Sequence, residues 1–434
     1  MNSQQKVSDC LKKFEENANL RAVIETNPDA MSIAAECDLA ESKDPLHGIP
    51  VLIKDNINTG DKMHTTAGSV ALANNIATKD APAAANLRAA GAVIVGKANM
   101  TEFANYMCDF RLNERMPNGY SSRGGQTLHP LGSHADPSGS STGSAVAVAA
   151  GLVPMAVGSE TYGSIISPSQ QCGIVGLKPT DGLISKEGVI PISFTLDTLG
   201  PMATNVHDVG LLLGALAGRK YDMACKPEEI TVGICRAGFK GEKWPPHDDW
   251  RTENEGLIPI MRELGMTVKE LPESDIDKYA IGRDDSYMFP IMRYEFQYAI
   301  NKYLETTTNA PKNLKEIIAY NEAHADVALK YGQGNLVAAA NISENWKNEE
   351  VYVEALAQRR DAILLLDKYF DVHGIDVLVI LSAHCALAAA TGFPSLTMPL
   401  GKTADGLPIG CLLMARRFGE DVLLAAAKAI EAKI

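Results

Sequence analysis

Short apolar runs typical of β-strands alternate with helical segments of small residues throughout residues 46–218. Residues 49–53 form one such run, and the helical segment 84–90 leads directly into a second run at 92–95. Because the helices that follow such strands must bury their own apolar side, this alternation is typical of a sheet covered on both faces. The sequence therefore predicts an α/β fold in this part of the chain.

The sequence before and after residues 46–218 has other patterns, mainly helical ones. The first 40 residues have apolar positions at helical spacing, first at Val7, Leu11 and Phe14 and again at residues 20–24. Most of the charge and two long helical patterns, at 290–304 and 349–368, lie in the middle of the chain, and strand character returns near the end. We expect one domain, 1–434, made of N-terminal helices (1–40), a core (41–218), a variable helical insertion (219–370) and a C-terminal part that rejoins the sheet (371–434).

The composition is that of a globular protein, and its charge limits the partners it can have. Of the 434 residues 46% are apolar and 21% are charged, with a net charge of −13. Nucleic acid and anionic membranes both require a basic face, so neither is expected as a partner. We expect a monomer or a homodimer that acts on a small molecule or a peptide.

The cysteines and the N-terminus indicate a reducing compartment. The eight cysteines form no CxxC pair, so free thiols are expected rather than disulfides. The polar N-terminal segment has no apolar core of a secretion signal, and no run approaches the roughly 18–20 apolar residues of a membrane span. The sequence therefore favours a cytoplasmic location.

One lysine and two serines carry the chemistry that the sequence indicates. Lys54 follows the apolar run in VLIKDN, Ser140 lies in PSGSSTG, and Ser164 lies in ETYGSII. A buried lysine that loses its proton can act as a base, and two hydroxyls then suffice for acyl transfer without histidine. These segments closely resemble the amidase signature family. The resemblance implies that Ser164 is the nucleophile, that Ser140 is the bridging serine, and that Lys54 is the base.

The same resemblance implies a fold, a backbone geometry and a reaction. The family has an α/β/α sandwich on a mixed, mostly parallel sheet, and a cis peptide bond is expected at Gly139–Ser140. Backbone N–H groups of Thr161, Tyr162, Gly163 and Ser164 are expected to form the oxyanion hole. The implied activity is hydrolysis of a linear amide through an acyl-enzyme, with no metal and no cofactor.

Other motifs are weaker or indicate structural roles. Residues 139–143 formally match GxSxG, but the segment before them does not have the strand that a nucleophile elbow follows. The sequence contains no HExxH, GxGxxG or Walker motif. We expect structural roles for Lys97, His47 and Asp197.

Within the family, the chain is most similar to bacterial peptide amidases, which remove the amide from the C-terminus of peptides. The shared stretches are 118–127 and 188–202, together with an apolar residue, Ile166, where the common pattern has arginine. Tyr162 replaces a small residue two positions before the nucleophile. Its ring is expected either to form a wall of the substrate pocket or to fill core space.

Three other functions stay open at this point. The chain could be the glutamine-hydrolysing subunit of a tRNA-dependent amidotransferase, although such proteins keep the arginine that Ile166 replaces. It could be an acyltransferase that forms amides on the same scaffold. A catalytically silent binding protein is the third, and the presence of Lys54, Ser140 and Ser164 disfavours it.

Overall fold

The structure, a computed structural model, describes residues 1–42, 44–236, 248–272 and 287–434. Parts of the expected insertion, residues 237–247 and 273–286, thus lie outside the described residues. The described helices are α1 Ser3–Glu16, α2 Ala30–Leu39, α3 Pro82–Ala89, α4 Thr142–Ala149, α5 Ile166–Cys172, α6 Val206–Ala217, α7 Asp248–Glu263, α8 Met288–Leu304, α9 Leu314–Ala323, α10 Ala325–Ala328, α11 Gly334–Ala340, α12 Glu350–His373, α13 Ala386–Thr391 and α14 Glu420–Glu431.

Eleven of the described strands form one sheet, and the other six form three two-stranded pairs. The strands of the large sheet are, in chain order, β1 Val23–Thr26, β2 Pro50–Lys54, β4 Val93–Ala98, β7 Met155–Glu160, β8 Val175–Lys178, β9 Thr198–Ala203, β10 Thr231–Cys235, β11 Thr267–Glu270, β13 Val377–Ile380, β14 Ser395–Thr397 and β17 Leu413–Ala415. The small pairs are β3 Ile76–Ala77 with β12 Thr307–Thr308, β5 Tyr120–Ser121 with β6 Gly125–Gln126, and β15 Pro399–Lys402 with β16 Pro408–Gly410.

The strands lie in the order β1-β4-β2-β7-β9-β8-β14-β17-β13-β10-β11, with helices on both faces. Alternate residues of a strand point to opposite faces, which is visible in β2. Val51 and Ile53 pack into a core with α3, α6, α7 and α14, whereas Leu52 packs into a second core with α1, α2 and α4. Further along the sheet, Leu378 and Ile380 of β13 pack against α8, α12 and α13. The predicted α/β/α fold on a mixed sheet is confirmed.

One detail of the predicted sheet is wrong, because parallel pairs are not in the majority. Four neighbouring pairs are parallel, in the groups β4-β2-β7 and β13-β10-β11. The other six pairs are antiparallel. The physical reason is the order of the strands in the sheet. The helix α5 connects β7 to β8, but β9 lies between these two strands and is antiparallel to both. Alternation along the chain predicts a strand followed by a helix, and it does not specify which strands become neighbours.

Two local expectations also need correction. The apolar positions at residues 20–24 do not continue a helix, because Val23–Thr26 forms the edge strand β1, which pairs with β4. The middle of the chain is not only helical, because it contributes β10 and β11 to the large sheet. The two long helices expected there are confirmed as α8 and α12, and β13, β14 and β17 place the C-terminal part in the same sheet. Within the described residues, no helix is both long and apolar enough to cross a membrane.

Candidate active site

Lys54 is the last residue of the interior strand β2, between the parallel strands β4 and β7. It points to the same face as Leu52, the face that α4 covers, because residues two apart in a strand share a face. Its side chain is fully buried, with an exposed fraction of 0%. The apolar run before Lys54 thus places a lysine amine inside the protein.

Three oxygen atoms surround the Lys54 amine. Its Nζ lies 2.8 Å from Ser140 Oγ and 2.9 Å from Ser141 Oγ. The third contact, at 3.0 Å, is to the backbone oxygen of Ser159 in the neighbouring strand β7. Both hydroxyls belong to the segment that leads into α4, and the peptide bond Gly139–Ser140 is cis, as expected.

Burial changes the protonation of this lysine. Desolvation lowers the pKa of Lys54 from its ordinary value of 10.5 to about 7, whereas the carboxylates of Asp197 and Glu160 act in the opposite direction. Among the described residues, only hydroxyl and carbonyl oxygens lie within these contact distances of the amine, and no carboxylate does. Burial therefore shifts Lys54 towards its neutral form, the form in which an amine can accept a proton.

Ser164 lies in the turn that joins β7 to α5. Its backbone oxygen accepts a hydrogen bond from the Ser141 N–H at 3.2 Å, so this turn and the start of α4 are held together. Gly163 has a φ of +79°, and a Cβ atom there would lie 2.7 Å from Cys385 Sγ. The residue before Ser164 is therefore restricted to glycine by conformation and by space.

Two buried carboxylates fix the same turn. Glu160 Oε2 accepts hydrogen bonds from the N–H groups of Ile165 at 2.7 Å and Ile166 at 3.0 Å, and burial raises the pKa of this carboxyl. Asp197 Oδ1 accepts a hydrogen bond of 2.6 Å from Thr161 Oγ1. The register explains this contact, because Glu160 pairs with Thr198 and the next residues on the two antiparallel strands then lie opposite each other.

A further buried carboxylate, Glu295 on α8, supports Asp197 from the helical part of the molecule. Asp197 Oδ2 accepts hydrogen bonds from the N–H groups of Ile192 at 2.8 Å and Ser193 at 3.0 Å. Glu295, which is fully buried, in turn accepts hydrogen bonds from the Ser193 hydroxyl and from the Thr195 N–H and hydroxyl. A continuous set of hydrogen bonds thus runs from α8 to the turn that carries Ser164.

The two residues after Lys54 hold the surrounding loops. Asp55 Oδ2 accepts hydrogen bonds from the Thr66 hydroxyl and from the Gly68 N–H at 3.0 Å. Asn56 Nδ2 donates to Ser159 Oγ at 3.0 Å, which holds the strand residue whose carbonyl contacts Lys54. The KDN motif therefore combines a buried lysine with two residues that position its environment.

A cavity of about 350 Å³ opens at Ser164. It is lined by Ala104, Asn105, Tyr106, Cys108, Asp109, Phe110, Arg111, Gly139, Thr161, Tyr162, Ser164, Ile192, Phe289, Met292, Arg293 and Asn335. Ser164 and Tyr162 therefore face a space where a ligand could bind, whereas Lys54 and Ser140 lie behind its wall, fully buried. Among the residues that the structure describes, no group of three or more histidine, cysteine or acidic side chains is placed to hold a metal ion.

The other residues singled out in the sequence have structural partners. Lys97 is fully buried and donates to the Ile57 carbonyl and, at 2.9 Å, to Thr65 Oγ1, which anchors the loop after β2. His47 Nε2 contacts the Cys37 carbonyl at 2.9 Å. Residues 127–138, directly before the GxSxG match, contain no strand, and its central residue, Ser141, is fully buried. Free thiols are found at Cys10, Cys37, Cys108, Cys172, Cys225 and Cys411.

Sequence reasoning missed three residues of this site. Ser141 is a second hydroxyl partner of Lys54, and the serine doublet at 140–141 was the available signal. Glu160 adjoins the nucleophile block, but the sequence does not indicate that its side chain turns back to bind Ile165 and Ile166. No sequence pattern indicated Glu295, because its contact with Ser193 joins residues about a hundred positions apart.

Comparison with known proteins finds relatives along almost the whole chain. A family model described as Amidase matches residues 5–424. The chain is 35% identical to a probable amidase of Arabidopsis thaliana over 437 residues, covering 96% of this chain and 83% of that protein. It is 32% identical to the A subunit of glutamyl-tRNA(Gln) amidotransferase from Symbiobacterium thermophilum over 426 residues, covering 89% of this chain and 83% of the subunit.

A solved structure shares the whole fold. Native peptide amidase from Stenotrophomonas maltophilia has a TM-score of 0.87 and 35% identity to this chain, covering 100% of this chain and 94% of that one. The match extends over the sheet, the α4 and α5 region and the helices around the cavity, so it is not limited to the serine segments. On this evidence the chain is an amide-hydrolysing enzyme that belongs to the amidase signature family.

Proposed function

We propose that this enzyme cleaves a carboxamide C–N bond through an acyl-enzyme on Ser164. In the first step Ser164 Oγ attacks the amide carbonyl, while its proton passes to Ser140 and the proton of Ser140 passes to Lys54. The protonated lysine then returns a proton through Ser140 to the leaving nitrogen, which departs as ammonia or an amine. Water attacks the resulting ester with the same base, which releases the carboxylic acid and restores Ser164.

The observation that carries this proposal is the set of contacts around Lys54 Nζ. A neutral amine has two N–H groups and one lone pair. The Ser159 carbonyl is only an acceptor, so it takes one N–H at 3.0 Å. Ser141 Oγ donates to the same carbonyl at 2.9 Å and accepts from Lys54, which uses the second N–H. With hydrogens assigned in this way, the lone pair is left for the hydroxyl proton of Ser140, 2.8 Å away.

The oxyanion hole is assigned to the turn before the nucleophile. Backbone N–H groups of Thr161, Tyr162 and Gly163 together with that of Ser164 are the proposed donors, because they belong to the one turn that carries the attacking oxygen. The Thr161 hydroxyl bond to Asp197 and the Glu160 bonds to the next turn support this role by fixing the backbone on both sides. Preorganised donors of this kind stabilise the developing negative charge without having to reorient.

We propose a small or peptide amide as the substrate, by similarity to the peptide amidase structure. A glutamine-hydrolysing role in a tRNA-dependent amidotransferase is the alternative, by similarity to the subunit from Symbiobacterium thermophilum. Ile166 disfavours that alternative, because it is a fully buried apolar residue at the position where such subunits keep arginine. An amide-forming acyltransferase would use the same acyl-enzyme, with an amine in place of water.

The test is release of ammonia from amidated dipeptides and from glutamine, measured for the wild type, Ser164→Ala and Lys54→Ala. Ser164→Ala should release no measurable ammonia, and Lys54→Ala should lose roughly 10²–10⁴-fold in kcat/KM. Ser144→Ala is the matched control, because Ser144 is also buried but donates to the Val157 carbonyl, at 3.0 Å, and not to the lysine. Turnover that survives in Ser164→Ala, or that is lost with EDTA and restored by zinc, would contradict the proposal.

A further inference from the structure

Three aromatic rings form a series that leads from the nucleophile turn to the mouth of the cavity. The Tyr162 ring, two residues from Ser164, lies 6.4 Å from the ring of Phe289 at the start of α8. The Phe289 ring lies 6.2 Å from Phe110, with an angle of 67° between the two rings. All three side chains line the cavity that opens at Ser164. These separations are within the range at which aromatic rings pair favourably.

The two outer rings are unusually exposed for their size. Phe289 is 46% exposed and Phe110 is 56% exposed. Single exposed apolar residues are normal, but two exposed rings in contact at the entrance of a cavity mark a surface that a ligand covers. Met292 and Ile192 add apolar side chains to the same wall, which also carries the polar side chains of Asn105 and Asn335.

The charged groups of the cavity are already arranged around one carboxylate. Asp109 accepts hydrogen bonds from Arg111 Nε, at 2.8 Å, and from Arg111 Nη2. Arg293 Nη2 lies 3.5 Å from Asp109 Oδ2, the oxygen that also accepts from Arg111 Nη2. Two guanidinium groups thus share Asp109, the one acidic side chain among the described lining residues, and among these residues no other carboxylate is left for a positively charged ligand.

We propose that the acyl group of the substrate carries an aromatic ring, which packs against Tyr162 and Phe289, and that it carries no positive charge. This inference rests on the proposed amide hydrolysis and names its substrate class. Because Tyr162 and Ser164 are two residues apart and line the same cavity, we expect the ring of such an acyl group to be two or three bonds from the scissile carbonyl. Peptides that end in an aromatic residue amide and simple amides of arylalkanoic acids share this chemistry.

Four amides distinguish these cases when kcat/KM is measured for each. They are N-acetyl-phenylalaninamide, N-acetyl-norleucinamide, N-acetyl-lysinamide and 3-phenylpropionamide. We expect the wild type to prefer the phenylalanine amide over the norleucine amide by about tenfold, as ring pairing and added contact area allow. The lysine amide, matched to norleucine in chain length, should be the poorest. Turnover of 3-phenylpropionamide would identify simple aryl amides as substrates, and its absence would restrict the class to peptides.

Variants test whether the rings cause this preference. Phe289→Ala and the bulkier Phe289→Leu should both reduce the preference for phenylalanine over norleucine to less than about threefold. Leu112→Ala is the control, because Leu112 is 64% exposed on the same turn as Phe110 but does not line the cavity. It should leave the preference unchanged. Thermal unfolding of each variant shows whether it folds.

Two sets of results would overturn the substrate class. One is a wild type that prefers the norleucine or lysine amide, and the other is a tenfold aromatic preference that survives in both Phe289 variants. If none of the four amides is hydrolysed while a fluorophosphonate still labels Ser164, the substrate class is wrong and the serine mechanism stands. If the label is absent as well, the proposed function fails together with this inference.

Discussion

The replacement Lys54→Met tests the buried neutral lysine without measuring activity. Lys54 is fully buried, and its pKa falls from 10.5 to about 7 because of desolvation. In the unfolded chain the amine is protonated up to its ordinary pKa, whereas in the folded protein it is neutral above about pH 7. The unfolded state therefore binds more protons between these values, and the wild type becomes more stable as pH rises. Methionine is similar in length and has no proton to lose.

The magnitude follows from the two pKa values. Below pH 7 the buried lysine destabilises the folded state by an amount that does not change with pH. Above pH 7 this destabilisation decreases by about 1.4 kcal/mol per pH unit, and it vanishes above pH 10.5. Between pH 7.5 and 9.5 the free energy of unfolding of the wild type should therefore rise by about 2–3 kcal/mol relative to Lys54→Met. Lys54→Met also loses the hydrogen bonds to Ser159 and Ser141. This loss changes its free energy of unfolding equally at both pH values, so it cancels when the two pH values are compared.

Urea unfolding followed by circular dichroism at pH 7.5 and 9.5 gives this quantity for both proteins. Lys12→Met is the control, because the Lys12 side chain is 73% exposed and its amine stays hydrated whether or not the chain is folded. The difference in free energy of unfolding between Lys12→Met and the wild type should be the same at both pH values. A difference between wild type and Lys54→Met that is constant, or that decreases as pH rises, would show that Lys54 is charged in the folded enzyme and would refute the reasoning.

Three further predictions concern activity. The kcat/KM of the wild type should rise with pH and reach half of its maximum near pH 7, because Lys54 must lose its proton to act; a profile that falls over this range would exclude it as the base. Asp197→Asn should move that half-maximum to lower pH, because the Asp197 carboxylate raises the pKa of Lys54; an unmoved or higher half-maximum would contradict the assignment. Glu295→Gln should lower kcat more than it raises KM, because it weakens the bonds that hold Ser193 and, through Asp197, Thr161. Tyr303→Phe is the control for Glu295→Gln, because Tyr303 is also buried but contacts Asn58 and Asn75. It should leave the ratio of kcat to KM unchanged.

The fold could be predicted from the sequence as far as local patterns specify it. Apolar runs followed by small-residue helices predict strands and their covering helices, because each element must bury one side. The place of β9 between β7 and β8 could not be predicted in this way, because strand order depends on pairing between distant segments. The edge strand β1 was missed for a related reason, since its few apolar positions take strand form through pairing with β4.

The candidate site was predictable where its residues lie in motifs and unpredictable where it depends on distant contacts. The motifs indicated Lys54 and Ser140, which the structure brings to 2.8 Å, and Ser164, whose turn is bonded to Ser141. Glu295 acts through a loop far away in the sequence, so only the folded arrangement of α8 reveals it. Tyr162 was recognised as a departure, but the choice between pocket wall and core required the cavity and its ring neighbour Phe289.

The most direct test of the central claim is the identity of the residue that a fluorophosphonate labels. Peptide mapping by mass spectrometry should find the phosphonyl group on Ser164, the serine that faces the cavity. The label should be absent from Ser164→Ala and greatly slowed in Lys54→Ala, because the attacking hydroxyl then has no base. A label on Ser140 or Ser141, or unchanged labelling of Ser164→Ala, would contradict the serine–serine–lysine mechanism.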